Sequence, residues 1–291
     1  MKRLSVIIIC LLIILSVGCT RTTNYDIVAT TLPVYDFTNF LCEGTDLSVG
    51  RLVTENVSCL HDYTLHVGQM RMIEEADAIV ISGVGLESFL ADALHSQNLI
   101  DASKQVHLHS ADHLHEHHDT SHEHSHDTDP HIWLSPENAK IMCENICSEL
   151  TALYPEHQEV FQKNLTALLK KLDELLEYGG RQLSNLSFYE LITFHDGFAY
   201  FAESFDLTIL EAIEEESGSE ASASEIIHLV ELVETNALPA IFIERSGSNA
   251  CAGIIHAETD AQIYTLDMAM AGDSYFDAMY HNIDTIKEAL G

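Results

Sequence analysis

The feature that most constrains this chain is a long, uninterrupted helical pattern near its middle with strand–helix alternation on either side. Pro155 opens the pattern, and Phe161, Leu165, Leu168, Leu172 and Leu175 then recur at alternating spacings of four and three. From Pro155 to Tyr178 such a helix is roughly 36 Å long at 1.5 Å per residue. Gly179-Gly180 is expected to end or kink it. A shorter helix precedes it, capped by Ser135 with Pro136 in its first turn, and is predicted to run to about Leu153. Before this pair of helices, apolar and β-branched runs suggest strands at Ile27–Thr31, Leu47–Val53, Ala78–Ser82 and Gln105–His109. After it they recur at Tyr189–Phe194, Leu207–Ala212, Ala240–Glu244 and Gln262–Leu266. Helical patterns lie between them, at Val34–Cys42, Thr64–Ala76, Gly85–His95, Phe198–Phe205 and Ser224–Asn236. Alternation of this kind favours mainly parallel sheets flanked by helices. The expected fold is therefore α/β with two lobes, residues 19–153 and 185–291, joined by a backbone helix over 154–184.

Residues 1–18 read as a signal rather than as fold. Lys2 and Arg3 precede an apolar run from Leu4 to Leu15, and Ser16-Val17-Gly18 lead into Cys19. The run is nearer a signal-peptide core than the ~20 residues of a membrane span. A cysteine directly after small residues resembles a bacterial lipoprotein signal, with Cys19 as the lipid-bearing residue. The body is thus expected outside the cytoplasm, anchored to the cell membrane by lipid.

Of the 291 residues, 13 are basic and 46 acidic, and loss of Lys2 and Arg3 leaves 11 basic residues. Phosphate binding needs clustered Lys and Arg, so a nucleic-acid partner is not expected. Cys42, Cys59, Cys143, Cys147 and Cys251 contain no CxxC pair and are odd in number after Cys19. A disulfide framework or thiolate zinc site is therefore a poor reading, and buried core thiols are expected. Ten of the eighteen histidines fall between His107 and His131, interleaved with Asp, Glu, Ser and Thr. That stretch, taken as a loop over 107–129, has too few apolar residues to order itself and reads as a mobile collector of metal.

Open α/β sheets bind ligands beyond the carboxyl ends of their strands. Four metal-capable residues stand there or in the segment before the central helices: His61 after the second strand, His131 in Asp129-Pro130-His131-Ile132-Trp133, His195 after Phe194, and Asp267 after Leu266. They lie 70, 64 and 72 residues apart, so each comes from a different unit. Glu214, Glu215 and Glu216 are rival carboxylates, and His66 stands five residues after His61. Asp62 and Asp196 are the nearest candidates to orient the imidazoles. A histidine at a strand end can equally be a hydrogen-bonded structural residue, and the pattern alone leaves that open.

These segments resemble the metal-binding lipoproteins of ABC importers for zinc and manganese. So do Gly83-Val84-Gly85-Leu86-Glu87 and Gly272-Asp273-Ser274-Tyr275 with the following His281-Asn282. The similarity runs from roughly Asp26 to Leu290. It implies two α/β lobes with an ion at their interface, held by His61, His131 and His195, with Asp267 in the fourth, carboxylate position. The family usually has Pro before the first ligand, where this chain has Leu60. Its third ligand varies between His and Glu, and here it is His195.

The resemblance implies a monomeric binding protein rather than an enzyme, passing its ion to a membrane permease and its ATPase. Three imidazoles and one carboxylate favour Zn²⁺ as the ligand, because Mn²⁺ prefers oxygen donors and higher coordination. A manganese-specific member of the same family is the alternative reading. From a different class, an exported zinc hydrolase would use the same three histidines if Asp267 acted as a base.

Overall fold

The computed structural model describes residues 24–55, 60, 63–91, 93–94, 98–109, 128–213, 221–245 and 250–291. It contains two four-stranded parallel sheets of like topology. The first holds β1 (Ile27–Ala29), β2 (Val49–Arg51), β3 (Ala78–Ile81) and β4 (Asn98–Asp101) in the order β2-β1-β3-β4. The second holds β5 (Glu190–Thr193), β6 (Thr208–Ala212), β7 (Ala240–Glu244) and β8 (Gln262–Leu266) in the order β6-β5-β7-β8. In each sheet the chain moves outward once and then crosses back over its starting strand. That reversal leaves a crevice at the strand ends, between β1 and β3 in one sheet and β5 and β7 in the other.

Helices α1 (Leu32–Cys42) and α2 (Val67–Glu75) accompany the first sheet, and α5 (Ala199–Ser204), α6 (Ala223–Asn236), α7 (Ala250–Thr259) and α8 (Tyr275–Leu290) the second. Between the sheets run α3 (Pro136–Leu153) and α4 (Gln158–Leu183). The Ser135 hydroxyl caps α3 by accepting from the Asn138 N–H at 3.2 Å. A 3₁₀ turn over Pro155–His157 leads into α4, whose 26 residues bury Phe161, Leu168, Leu172, Leu175 and Leu183. The stripe is amphipathic and faces one continuous core, drawn from α1, α3, α4, α8 and both sheets. Smaller apolar clusters fill the far side of each sheet, around Val28, Leu52 and Ile79 in the first and Ile192, Val233 and Ile241 in the second.

Four expectations need correction. The helix does not end or kink at Gly179-Gly180 but continues to Leu183. Gly179 is buried because the Phe205 ring lies where a side chain would stand, so this glycine admits close packing rather than a break. The fourth strand is Asn98–Asp101, paired with β3, and not Gln105–His109. Gln105 has φ +62°, which interrupts extended backbone. The pattern over Gly85–His95 yields only a 3₁₀ turn at Ser88–Leu90 among the described residues. Its beginning is held by the buried Glu87 carboxylate, which accepts from the Ser82 N–H at 2.7 Å and the Gly83 N–H at 3.1 Å. The Thr30 hydroxyl also donates to it, at 2.7 Å. Finally, Thr64 does not start α2; His66 caps it, accepting from the Gln69 N–H while the Gln69 side chain accepts from the His66 N–H.

Cys42, Cys143 and Cys147 are free and buried, and Cys251 is buried too, as expected of core thiols. Burial pushes the Cys42 thiol up to about 12, which keeps it protonated. Cys59, Cys19 and the signal, and residues 110–127 of the histidine-rich stretch lie outside the described residues. No helix among the described residues is long and apolar enough to cross a membrane.

Candidate metal centre

His131 enters the site from the segment that leads into α3. It is followed by a 3₁₀ turn, Ile132–Leu134, whose three side chains are fully buried. The Trp133 indole N–H donates to the Met268 carbonyl of the second lobe at 2.7 Å. The Tyr275 hydroxyl donates to the Trp133 carbonyl at 2.9 Å. The buried apolar turn thus wedges into the opposite lobe and fixes the backbone from which His131 projects. Burying a side chain of this size is worth about 1.5–3 kcal/mol or more, so the wedge is not easily withdrawn.

The imidazole is fixed in turn. Asp129 Oδ1 lies 2.8 Å from His131 Nδ1 and also accepts the His131 backbone N–H at 2.9 Å. A carboxylate there favours the tautomer with its proton on Nδ1 and the lone pair on Nε2. Across the interface, His195 follows β5, and its Nε2 lies 3.2 Å from His131 Nε2. The two rings are near perpendicular, at 84°. Two nitrogens each bound to Zn²⁺ at ~2.0–2.1 Å in a tetrahedral arrangement stand roughly 3.3 Å apart. The observed pair is spaced accordingly.

Two carboxylates complete the surroundings. Glu244 ends β7, and its Oε2 is 4.0 Å from His195 Nδ1. Burial raises its pKa to about 7; the charge of His131 lowers it, and the neighbouring Asp267 raises it further. Asp267 follows β8 and is also buried. Its Oδ1 accepts the Ala269 N–H at 2.8 Å, and its Oδ2 faces the Arg245 guanidinium at 3.3 Å. Asn282 holds its backbone, accepting from the Asp267 N–H at 2.8 Å and donating to its carbonyl at 2.7 Å. Gly197 closes the floor: a side chain there would meet Met268 and the His131 ring.

Of the four residues selected from sequence, the structure thus places His131 and His195 in contact and the buried Asp267 near enough to Glu244 for its charge to be felt there. His61, Asp62 and Glu214–Glu216 lie outside the described residues, as does the side chain of Asp196. His66 is a helix cap with an exposed ring 3.8 Å from Glu55. Asp129 and Glu244 were missed. Glu244 stands at a strand's carboxyl end, the same signal that selected Asp267. Asp129 is two residues before His131, but only the fold shows that its carboxylate turns back onto the ring.

The Gly272–Tyr275 run serves the lobe contact. The Gly272 carbonyl accepts from Arg51 Nη1 at 2.8 Å, Ser274 caps α8, and the Tyr275 N–H donates to Asp36 at 2.7 Å. The Tyr275 ring also packs edge-on against Phe37.

The chain is similar to several known proteins. A putative metal-binding protein of Treponema pallidum is 28% identical over 95% of this chain and 93% of its own length. The zinc-binding lipoprotein AdcA of Streptococcus pneumoniae is 29% identical over 99% of this chain, which spans only 61% of that longer relative. The crystal structure of ZnuA superposes with a TM-score of 0.81 at 29% identity, covering 92% of this chain and all of that one. The family model described as ZnuA, zinc-uptake complex component A, periplasmic, matches residues 27–289. With residues 27–289 matched and the fold shared with ZnuA, the chain belongs to the ZnuA family of solute-binding proteins of metal ABC importers.

Proposed function

We propose that this protein captures Zn²⁺ outside the cytoplasm with His61, His131 and His195, with Asp267 as the fourth ligand, and passes it to the permease and ATPase of an importer. The observation that carries the reading is the 3.2 Å approach of two histidine Nε2 atoms from opposite lobes, one of them oriented by Asp129. An ion held there touches both lobes at once. Its release then requires that they loosen, which suits a carrier that must both hold and surrender its cargo. The zinc-binding name of the pneumococcal relative supports the choice of ion. So does the nitrogen-rich donor set, which suits Zn²⁺ better than Mn²⁺. Asp267 reaches the ion when its Oδ2 gives up Arg245, so loading exchanges one cation for another at the same carboxylate.

Metal analysis of the protein purified without chelator or added metal is the direct test, followed by competition between Zn²⁺ and Mn²⁺ at equal free concentration. Zn²⁺ should be retained, and H131A and H195A should each lose it. Retention of Mn²⁺ against Zn²⁺ would overturn the assignment of the ion. For the anchor, we propose lipid attachment at Cys19 and a monomeric body. C19A should then move the protein from the membrane fraction to the soluble exported fraction with zinc binding unchanged.

A further inference from the structure

A second cluster of metal-ligating side chains lies apart from this pocket, where the histidine-rich stretch begins. After β4 the chain crosses to the second lobe, and His107 and His109 arrive beside Glu203 at the end of α5. His107 Nε2 is 3.7 Å from Glu203 Oε1, and His109 Nε2 is 2.7 Å from Glu203 Oε2. One donor atom from each of the three residues lies within 4.8 Å of the other two.

Both histidines are anchored through their backbones. The His107 N–H donates to Asn138 Oδ1 at 2.8 Å, and its carbonyl accepts from Asn138 Nδ2 at 2.9 Å. The His109 N–H donates to the Tyr200 hydroxyl at 3.1 Å, and the two rings pack with centroids 4.5 Å apart. Tyr200 and Glu203 sit on the same short helix, so the backbone of His109 and the carboxylate opposite it are positioned together. His109 Nε2 is buried, yet it lacks the alignment of a hydrogen bond to the carboxylate beside it. A cation shared by this nitrogen and the carboxylate would satisfy both groups.

We infer that His107, His109 and Glu203 form a second Zn²⁺-type site, which ties the first lobe to the second at the root of the histidine run. Bonds of ~2.0–2.2 Å to two imidazoles and a carboxylate require donors roughly 3.3 Å apart. The two nitrogen–carboxylate separations, 2.7 and 3.7 Å, bracket that spacing. His107 and Glu203 are more than half exposed, which leaves a fourth position for water and implies an exchangeable ion. The site shares no residue with the His131–His195 pocket. Tyr200 links the two, since its hydroxyl also donates to the Asp129 carbonyl at 2.9 Å.

The test uses the full chain with His113, His115, His117, His118, His122, His124 and His126 changed to Ser, so that those residues contribute no imidazole. Equilibrium dialysis against rising free Zn²⁺, with the bound metal counted, should give a tight and a weaker equivalent per chain. H107A/H109A should remove the weaker one, and E203Q should weaken it at least about tenfold. Both variants should leave the tight equivalent in place. H131A should do the reverse, so failure of the pocket reading and failure of this one are distinguishable. A serine-substituted protein that binds one equivalent, or a weaker equivalent indifferent to H107A/H109A and E203Q, overturns the inference.

Discussion

Substituting Gly197 by alanine isolates how closely the surroundings position the His131 ring. A Cβ at this position would stand 2.7 Å from His131 Cγ and 2.8 Å from Nδ1, and would also crowd the Met268 methyl. Ordinary contact begins near 3.4 Å, so the ring must retreat by about 0.7 Å. The Met268 end can rotate aside, but the His131 ring is tied to Asp129 and backed by Trp133 at a centroid distance of 5.3 Å. Metal–ligand distances tolerate only about ±0.2 Å, so a shift of this size is felt at Nε2. The expected loss is about 10–100-fold in zinc affinity, or roughly 1.4–2.7 kcal/mol. Overpacking costs the fold a further ~1–3 kcal/mol, and titration must therefore be run well below the melting transition of the metal-free variant. Gly253→Ala is the control, because nothing lies within 4 Å of a Cβ there and the site is remote in α7. Competition titration against a chelator of known affinity gives the answer. If G197A binds Zn²⁺ within about twofold of the parent while folded, the argument that ring placement limits affinity is wrong.

Other outcomes follow from the same structure. D129N should lower zinc affinity about 10–100-fold with little change in the metal-free melting temperature, because it removes the carboxylate that sets the His131 tautomer; an unchanged affinity would deny Asp129 that role. Zn²⁺ at 100 times its dissociation constant should raise stability by about 2.7 kcal/mol, read as a shift in thermal unfolding that H195A abolishes. Burial raises Glu87 from an ordinary 4.5 to about 7, so the folded state takes up a proton that the unfolded state releases. The stability this contributes is present below pH 4.5 and is lost as pH rises through 7, by at most about 3 kcal/mol. Urea unfolding of the metal-free protein across that range should show a downward slope that is shallower in E87Q; an identical slope in the variant would refute the assignment.

Much of the architecture was legible in the chain because it rests on local patterns. The β7 and β8 boundaries, Ala240–Glu244 and Gln262–Leu266, follow from short β-branched and aromatic runs bounded by polar or turn residues. The start of α3 follows from Ser135-Pro136, and the stripe of α4 from its leucine spacing. His195 and Asp267 were selected as candidates because strand ends in parallel sheets are where ligands bind, and His131 because of its distinctive segment. What the chain could not show was which side chains meet across lobes. Gly179 reads as a helix breaker until Phe205, which follows the next lobe's α5, is seen occupying its empty side. Glu244 reads as an ordinary strand-end carboxylate until burial beside His131 and Asp267 raises its pKa. His107 and His109 read as the edge of a low-complexity run until Asn138 and Tyr200 fix them against Glu203. Periodicity and capping act over a few residues and are written in consecutive positions. The approach of His131 to His195, 64 residues apart, depends on the packing of two separate sheets and is decided only when they close.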